Sequence, residues 1–376
     1  GNHQDAWVNG AEDPISGLVC ELEEARALGQ LLKQGWHPKR TIVICAWDGE
    51  EPALLGSTEW CEQHADELKQ KAVAYLNSDS STRGWIQMEG SHTLERFMNQ
   101  VAKDIIDPKR GKSAWEALKE RRIEQGRTEK QKEEAQRRAD LRIGAMGSGS
   151  DYTPFIQHLG VASMNSGFGG DDGGGVYHSI YDDFTWYSRF GDPDFQFERA
   201  LSQYNGTATM RLADSEVLPF EFTDLADTIN TYIEELEKLA KDAKAPEPVD
   251  FSSLQGAAKE LGESAERYAR AYGKVSANGG ADLDQVKHAT ELNELLYKSE
   301  RRLTSDEGLP RRPWYQHLLY APGFYTGYGV KTIPGVREAI EEKQWSDVEP
   351  QMKRVSDAIR ALASQVDKAS QILESQ

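Results

Sequence analysis

Five side chains in this sequence have the chemistry of metal ligands: His3, Asp13, Glu51, Asp79 and His178. Two imidazoles and three carboxylates are the donors that a borderline ion such as zinc accepts. With one carboxylate shared, the set serves two ions and leaves room for a bridging water. Each residue alone would be an ordinary surface residue or helix cap, and context is what singles them out. Glu51 and Asp79 directly follow two short apolar runs that read as strands, and the carboxyl ends of the strands in an open sheet form a crevice. Glu50 adjoins Glu51, so one carboxylate can face a metal while its neighbour takes a proton from the water and delivers it to a leaving amine. Asp5 stands two residues after His3. In an extended segment both face one side, where the carboxylate accepts from the second imidazole nitrogen.

Such residues need a scaffold, and hydrophobic periodicity outlines one. Leu18, Val19, Leu22, Ala25, Leu28, Leu31 and Leu32 recur at three and four residues, predicting a helix from Ser16 to about Trp36. Thr41 to Trp47 is β-branched and continuously apolar, which predicts a buried central strand, and Ala72 to Leu76 predicts a second. A helix over Leu54 to Leu68 lies between them, so the order is that of an α/β sheet with crossover connections. Residues 107 to 142 hold twelve Lys/Arg and eight Asp/Glu, the pattern of a solvated helix or mobile excursion, with a basic docking site as the alternative. Gly144 to Ser150, Val161 to Asn165 and Gly167 to Gly175 read as loops and short strands. None of them matches a phosphate-binding glycine motif, and Asp171 and Asp172 sit where an anion would have to lie, which excludes nucleotide binding.

After Leu218-Pro219-Phe220 the pattern changes. Ala226 to Ala243, Ser252 to Tyr272, Asp282 to Ser305 and Val348 to Leu373 predict a helical bundle. Pro246 and Pro248 separate the first two, and Pro310, Pro313, Pro322 and Pro334 mark an irregular excursion before the last. Two domains are expected, 1–221 and 222–376.

Composition agrees with a globular chain. The 376 residues are 38% hydrophobic and 28% charged, enough for two or three domains with real cores. Lys+Arg 44 against Asp+Glu 62 leave a net charge of −18, which argues against nucleic acid as a partner. Cys20, Cys45 and Cys61 form no metal spacing and no disulfide framework. No apolar run approaches the length that spans a bilayer. The chain opens among the candidate catalytic residues with no strand before them, so it is expected to be truncated at its N-terminus.

The segments GNHQDAW, GAEDPISG, ICAWDGEEPALLGSTEW, YLNSDSS, MGSGSDYTPF and VYHSIYDDF resemble those of the dinuclear zinc exopeptidases related to glutamate carboxypeptidase II and the transferrin receptor. From LPFEF through RRPWYQHLLYAP the chain also resembles that group's helical dimerisation domain. The resemblance implies an α/β zinc-exopeptidase core, its sheet mixed but mostly parallel and flanked by helices, followed by an all-α dimerisation domain. It implies that His3 and Asp79 bind one zinc, that Glu51 and His178 bind the other and that Asp13 bridges them. Glu50 becomes the general base, Asp5 orients His3, and Tyr177 donates to the oxyanion. Glu59 and Glu62 match a structural calcium site whose other ligands lie outside this chain. A homodimer, an excursion around Tyr328 that reaches the site, and a secreted, periplasmic or outward-facing membrane-anchored location are also implied. The Asn205-Gly206-Thr207 sequon fits that location. Transferrin receptors have lost the metal ligands; all five are present here.

The sequence departs from the glutamate-preferring members where they grip acidic groups. Their arginine pair corresponds to Asn165 and Gly167, and a third arginine falls near Glu89, which reverses the charge. The asparagine of their Gly-Ser-Gly-Asn-Asp motif is Ser150, after Ser148 and Gly149. Their lysine is replaced by Gly327, while the tyrosine after it persists as Tyr328. A buried carboxylate without its cation is costly. The expected enzyme is therefore a carboxypeptidase on small peptides with neutral rather than glutamate C-termini, Tyr177 and Tyr328 holding the terminal carboxylate. The alternatives are an aminopeptidase in which Glu89 meets the substrate amine, its other reading being an exposed surface glutamate, and a non-catalytic receptor-like protein.

Overall fold

A computed structural model describes residues 1–126, 128–171, 174–276 and 286–375. Arg127, Asp172 and the expected start of a helix at Asp282 lie outside the described residues. The chain begins with β1 (Asn2–His3), α1 (Ile15–Lys33), β2 (Ala46–Trp47), α2 (Leu55–Gln63), α3 (Ala65–Lys71), β3 (Tyr75–Asn77) and β4 (Gly84–Gly90). Next come α4 (Glu95–Asp104), α5 (Ala114–Gln125), α6 (Glu129–Arg137), β5 (Ser163–Gly170), the short α7 (Phe184–Trp186) and α8 (Gln196–Asp214). The rest is α9 (Thr223–Asp242), α10 (Ser252–Ser276), α11 (Ala289–Tyr297), the hairpin β6 (Tyr320–Pro322) and β7 (Val330–Thr332), α12 (Pro334–Glu341) and α13 (Trp345–Glu374).

β1 and β2 pair in parallel, with α1 as their crossover. A second sheet has the order β3-β5-β4, with β3 parallel and β4 antiparallel to β5. This α/β part is followed by helices in which α10 packs along α13 through buried Ala257, Leu261 and Ala265 on one side and Ile359, Leu362 and Val366 on the other. Among the described residues no helix is long and apolar enough to cross a membrane.

Several expectations need correction. Only the last two residues of Thr41–Trp47 pair as strand, and Val43 and Ile44 are 63% and 42% exposed. No described strand pairs with Thr41–Ile44, so this apolar run lines an open groove with Trp60, Leu68 and Phe155 instead of sitting in a core. The expected helix over Leu54–Leu68 is two helices that meet at His64. β4 went unread, although Trp85-Ile86-Gln87-Met88-Glu89 alternates in burial as a half-buried strand does.

The described residues of the charged stretch 107–142 include two helices, α5 and α6, and α5 packs on α4 and β4. Capping boxes at Ser113/Glu116 and Thr128/Gln131 start α5 and α6. Several of its cations have partners: Arg110 and Arg121 lie over the Trp85 ring at 3.8 and 3.9 Å, while Arg138 and Arg142 pair with Asp227 on α9. The sequon is closed as well, since Asn205 is buried in α8 and its Oδ1 accepts from Ser166 Oγ at 2.7 Å.

One titration should be visible in stability. Burial pushes the Glu198 carboxyl on α8 up to about 7, against the pull of its hydrogen bond with Tyr187. An acid raised on folding stabilises fully below its ordinary pKa of 4.5 and loses that contribution as the pH rises through about 7. Glu198→Gln is expected to flatten the fall in melting temperature across this window. Superimposable profiles for the two proteins would remove Glu198 as its source.

Candidate metal centre

The five candidate ligands come from four loops, each held by local chemistry. His3 ends β1 and Asp13 precedes α1, whose first turn lies against the backbone of the loop after β3. A Cβ at Gly17 would stand 2.2 Å from the Asp79 carbonyl, so only glycine allows that approach. Glu50 and Glu51 sit in a turn bounded by Gly49 at φ 70° and Leu54 at φ 57°. His178 has φ 55°, strain of the kind that collects at functional sites.

The structure brings His3, Asp13, Glu51, Asp79 and His178 together. Asp13 Oδ1 is 3.3 Å from His3 Nε2, and Asp13 Oδ2 is 3.3 Å from His178 Nε2. Asp79 Oδ1 lies 3.4 Å from His3 Nε2, and Glu51 Oε2 lies 3.1 Å from His178 Nε2. Two imidazoles are thus joined through the two oxygens of one carboxylate, with one further carboxylate on each. Ligands held at about 2.1 Å around a tetrahedral ion stand about 3.4 Å apart, so the donor types and spacings fit a pair of such ions. Ligand atoms of His3, Asp13 and Glu51, and of His3, Glu50 and Asp79, lie within 4.8 Å of one another. Glu50 Oε2 stands farther back, 3.9 Å from His3 Nε2.

The electrostatics match a site built for cations. Burial opposes charge on His3, but hydrogen bonds to Asp13 and Asp79 outweigh it and raise the imidazole to about 11. Burial, aided by Asp79, pushes Glu50 up to about 9, and burial with Asp13 pushes Glu51 to about 7. Carboxylates this crowded need positive charge between them.

Asp5 acts differently from expectation. Its backbone carbonyl, not its carboxylate, makes the nearer contact to His3 Nδ1, at 3.0 Å against 3.6 Å. Its carboxylate accepts from the Glu50 and Glu51 amides at 3.0 and 3.2 Å, and so pins the loop that carries both glutamates. Asp182 went unnoticed in the sequence; it is buried and accepts from the Glu12 and Asp13 amides at 2.6 and 3.1 Å. Only folding brings it there, across some 170 residues.

A cavity of about 280 Å³ opens beside the cluster. Tyr177, Tyr328, Asn165, Gly149, Ser150 and Glu89 line it, as do the unpredicted Gln87 and Ser80. Glu89 is therefore no exposed surface glutamate. Ser148 does not reach the cavity; its amide donates to the Tyr328 carbonyl at 3.2 Å. A Cβ at Gly147 would meet that carbonyl at 1.8 Å, so this glycine lets the hairpin from the helical half deliver Tyr328 to the cavity. The Tyr177 ring stacks on His178 at 3.6 Å, and burial together with Tyr328 raises its hydroxyl pKa, which keeps it a proton donor. No lysine or arginine is among the lining residues. At Gly167 a side chain would meet the Ser80 carbonyl at 2.7 Å. Glu59 and Glu62 are exposed on α2, and Glu62 accepts from Trp314 Nε1 at 2.7 Å, so among the described residues nothing gathers around them as a calcium site.

Comparison with known proteins adds two family matches: peptidase family M28 over residues 1–189, and the transferrin receptor-like dimerisation domain over residues 249–367. A probable glutamate carboxypeptidase of Arabidopsis thaliana is 39% identical over 368 residues, covering 96% of this chain and 50% of that protein. A probable glutamate carboxypeptidase of Arthroderma benhamiae is 36% identical over 374 residues, covering 96% of this chain and 48% of its own. An aminopeptidase of Mus musculus is 29% identical over 389 residues, 97% of this chain and 49% of that one. The chain thus spans about half the length of the curated relatives it matches.

Proposed function

We infer the function from a plain premise: the chain belongs to peptidase family M28 and carries a transferrin receptor-like dimerisation domain. It is the catalytic part of a zinc-dependent exopeptidase that hydrolyses small peptides. The observation that carries this reading is the pair of imidazoles joined through Asp13, each with its own further carboxylate. His3 and Asp79 would hold one zinc, Glu51 and His178 the other, with Asp13 shared.

Bound zinc supplies Lewis acidity and lowers the pKa of water. The Glu50 carboxylate takes a proton from the attacking water and passes it to the nitrogen of the departing amine as the C–N bond breaks. The Tyr177 hydroxyl donates to the oxygen on which negative charge develops. Asp5 keeps Glu50 at its station through the backbone amides it holds.

Specificity follows from charge. A C-terminal glutamate would bring a side-chain carboxylate into a cavity whose wall carries Glu89 and, among the described residues, no lysine or arginine. The reading is a carboxypeptidase on neutral C-termini, the terminal carboxylate meeting the Tyr177 and Tyr328 hydroxyls. An aminopeptidase of the same chemistry is the second reading, and the observation that favours it is Glu89 in the cavity wall. The helical half pairs two copies into a homodimer.

The test uses the full-length parent protein loaded with zinc, on neutral and acidic peptides blocked at one end or the other, with and without chelator. Chelator-sensitive release of neutral C-terminal residues from amino-blocked peptides is the expected result, with acidic ones at least tenfold slower. Release from free amino termini alone would replace the first reading with the second. Zinc-loaded protein that cleaves nothing would overturn both.

A further inference from the structure

The polar residues along the cavity floor form an ordered row. Asn77 on β3 pairs in register with Asn165 on β5, and Asn165 pairs with Glu89 on β4. Residues opposite one another share a face of the sheet, so the three side chains lie side by side. Hydrogen bonds polarise the row from one end. Trp47 Nε1 donates to the Tyr75 hydroxyl at 2.9 Å, which donates to Asn77 Oδ1 at 3.0 Å. Asn77 Nδ2 then donates to Ser150 Oγ and to Asn165 Oδ1, each at 3.0 Å. Asn165 has its carbonyl oxygen occupied and turns its amide nitrogen toward Glu89 Oε2, at 3.5 Å.

The row ends on an anion. Among the described residues no ion pair reaches Glu89, and its hydrogen bond from Asn165 is a long one. Burial holds its carboxyl above the usual range. Glycine at 144 makes room for this side chain, since a Cβ there would stand 2.9 Å from Glu89 Cγ where the two backbones bridge at Glu89↔Gly144. An anion fixed in a cavity wall with one weak donor costs stability unless something positive arrives to meet it.

We propose that Glu89 is the counter-charge for a cationic group of the substrate, an ammonium or guanidinium, seated in the cavity against the Glu89 carboxylate beside the Gln87 side chain. The inference deepens the peptidase reading and rests on it. The cation comes either from a free substrate amino terminus or from a lysine or arginine side chain. Glu89 is then a specificity residue that touches substrate away from the scissile bond.

The experiment compares full-length zinc-loaded protein with its Glu89→Gln and Glu89→Asp variants on matched peptides. One pair differs in a free against an acetylated amino terminus, the other in lysine against norleucine. Wild type is expected to favour the cationic member of at least one pair. Glu89→Gln should lower kcat/KM for that member about tenfold or more and for its neutral partner less than about threefold, with Glu89→Asp in between. Zinc content should stay unchanged, and the melting temperature should not fall. Equal losses on both members, or a wild type indifferent to the charge, overturn the inference while leaving the peptidase reading standing. A zinc-loaded wild type that cleaves none of the peptides overturns the peptidase reading and the inference with it.

Discussion

Glu50→Gln is expected to lower kcat by about a thousandfold in the full-length enzyme while zinc stays bound and KM barely moves. Glutamine keeps the stem and the volume of the side chain but cannot take a proton from the attacking water. The position of Glu50 fits that role better than ligation. Its carboxylate oxygen is 3.9 Å from His3 Nε2, where those of Asp13 and Asp79 are 3.3 and 3.4 Å away. Burial raises the group to about 9, and a bound dication would lower it toward the range in which a base works. Steady-state kinetics with metal analysis of the same preparations decide the matter. Turnover within about threefold of wild type would remove Glu50 as the base, because general-base catalysis contributes at least a hundredfold. Loss of one zinc would recast it as a ligand.

Glu95→Ala is expected to destabilise the fold by about 3–5 kcal/mol, the cost of breaking a buried ion pair from one side. Glu95 is fully buried at the start of α4. Its Oε1 meets Arg138 Nη2 at 2.5 Å, and its Oε2 meets His92 Nδ1 at 2.8 Å and the Ile143 amide at 3.1 Å. Both partners lead on to α9: Arg138 to Asp224 at 2.8 Å and His92 Nε2 to the Tyr232 hydroxyl at 3.0 Å. Alanine would take a buried acceptor from a guanidinium, an imidazole and an amide where the charged stretch 107–142 meets the helical half, although Arg138 keeps Asp224 and Asp227 and His92 keeps Tyr232. Urea unfolding measures the loss, and Glu95→Gln should recover part of it by keeping a hydrogen-bond acceptor. A loss below about 1 kcal/mol for alanine would mean that water or a neighbour replaces the carboxylate.

The boundaries of α1, α9 and α13 follow the apolar periodicity, because a long amphipathic helix writes its buried face into nearly every turn. Thr41–Cys45 shows the limit of such reading. An apolar run reports the burial it could have, while its exposure depends on whether another strand lies beside it. β4 was hidden for a related reason: its outward Gln87 and Glu89 line the cavity, and in the sequence they look the same as polar residues on any solvent face.

The donor types, the adjacency of Glu50 and Glu51, and the ligands' places in the chain were all determined by the sequence, since metal preference is a property of side-chain atoms. The tertiary structure alone decided which oxygen meets which imidazole, that Asp5 holds the glutamate loop as well as meeting the His3 ring, and that Asp182 steadies the backbone of Asp13. It also decided that Glu89 ends a polarised row without a cation and that Tyr328 arrives from the helical half over Gly147. Chemical identity is local to a residue. Partnership is a matter of a few ångströms between segments as much as 170 positions apart, and only packing sets those distances.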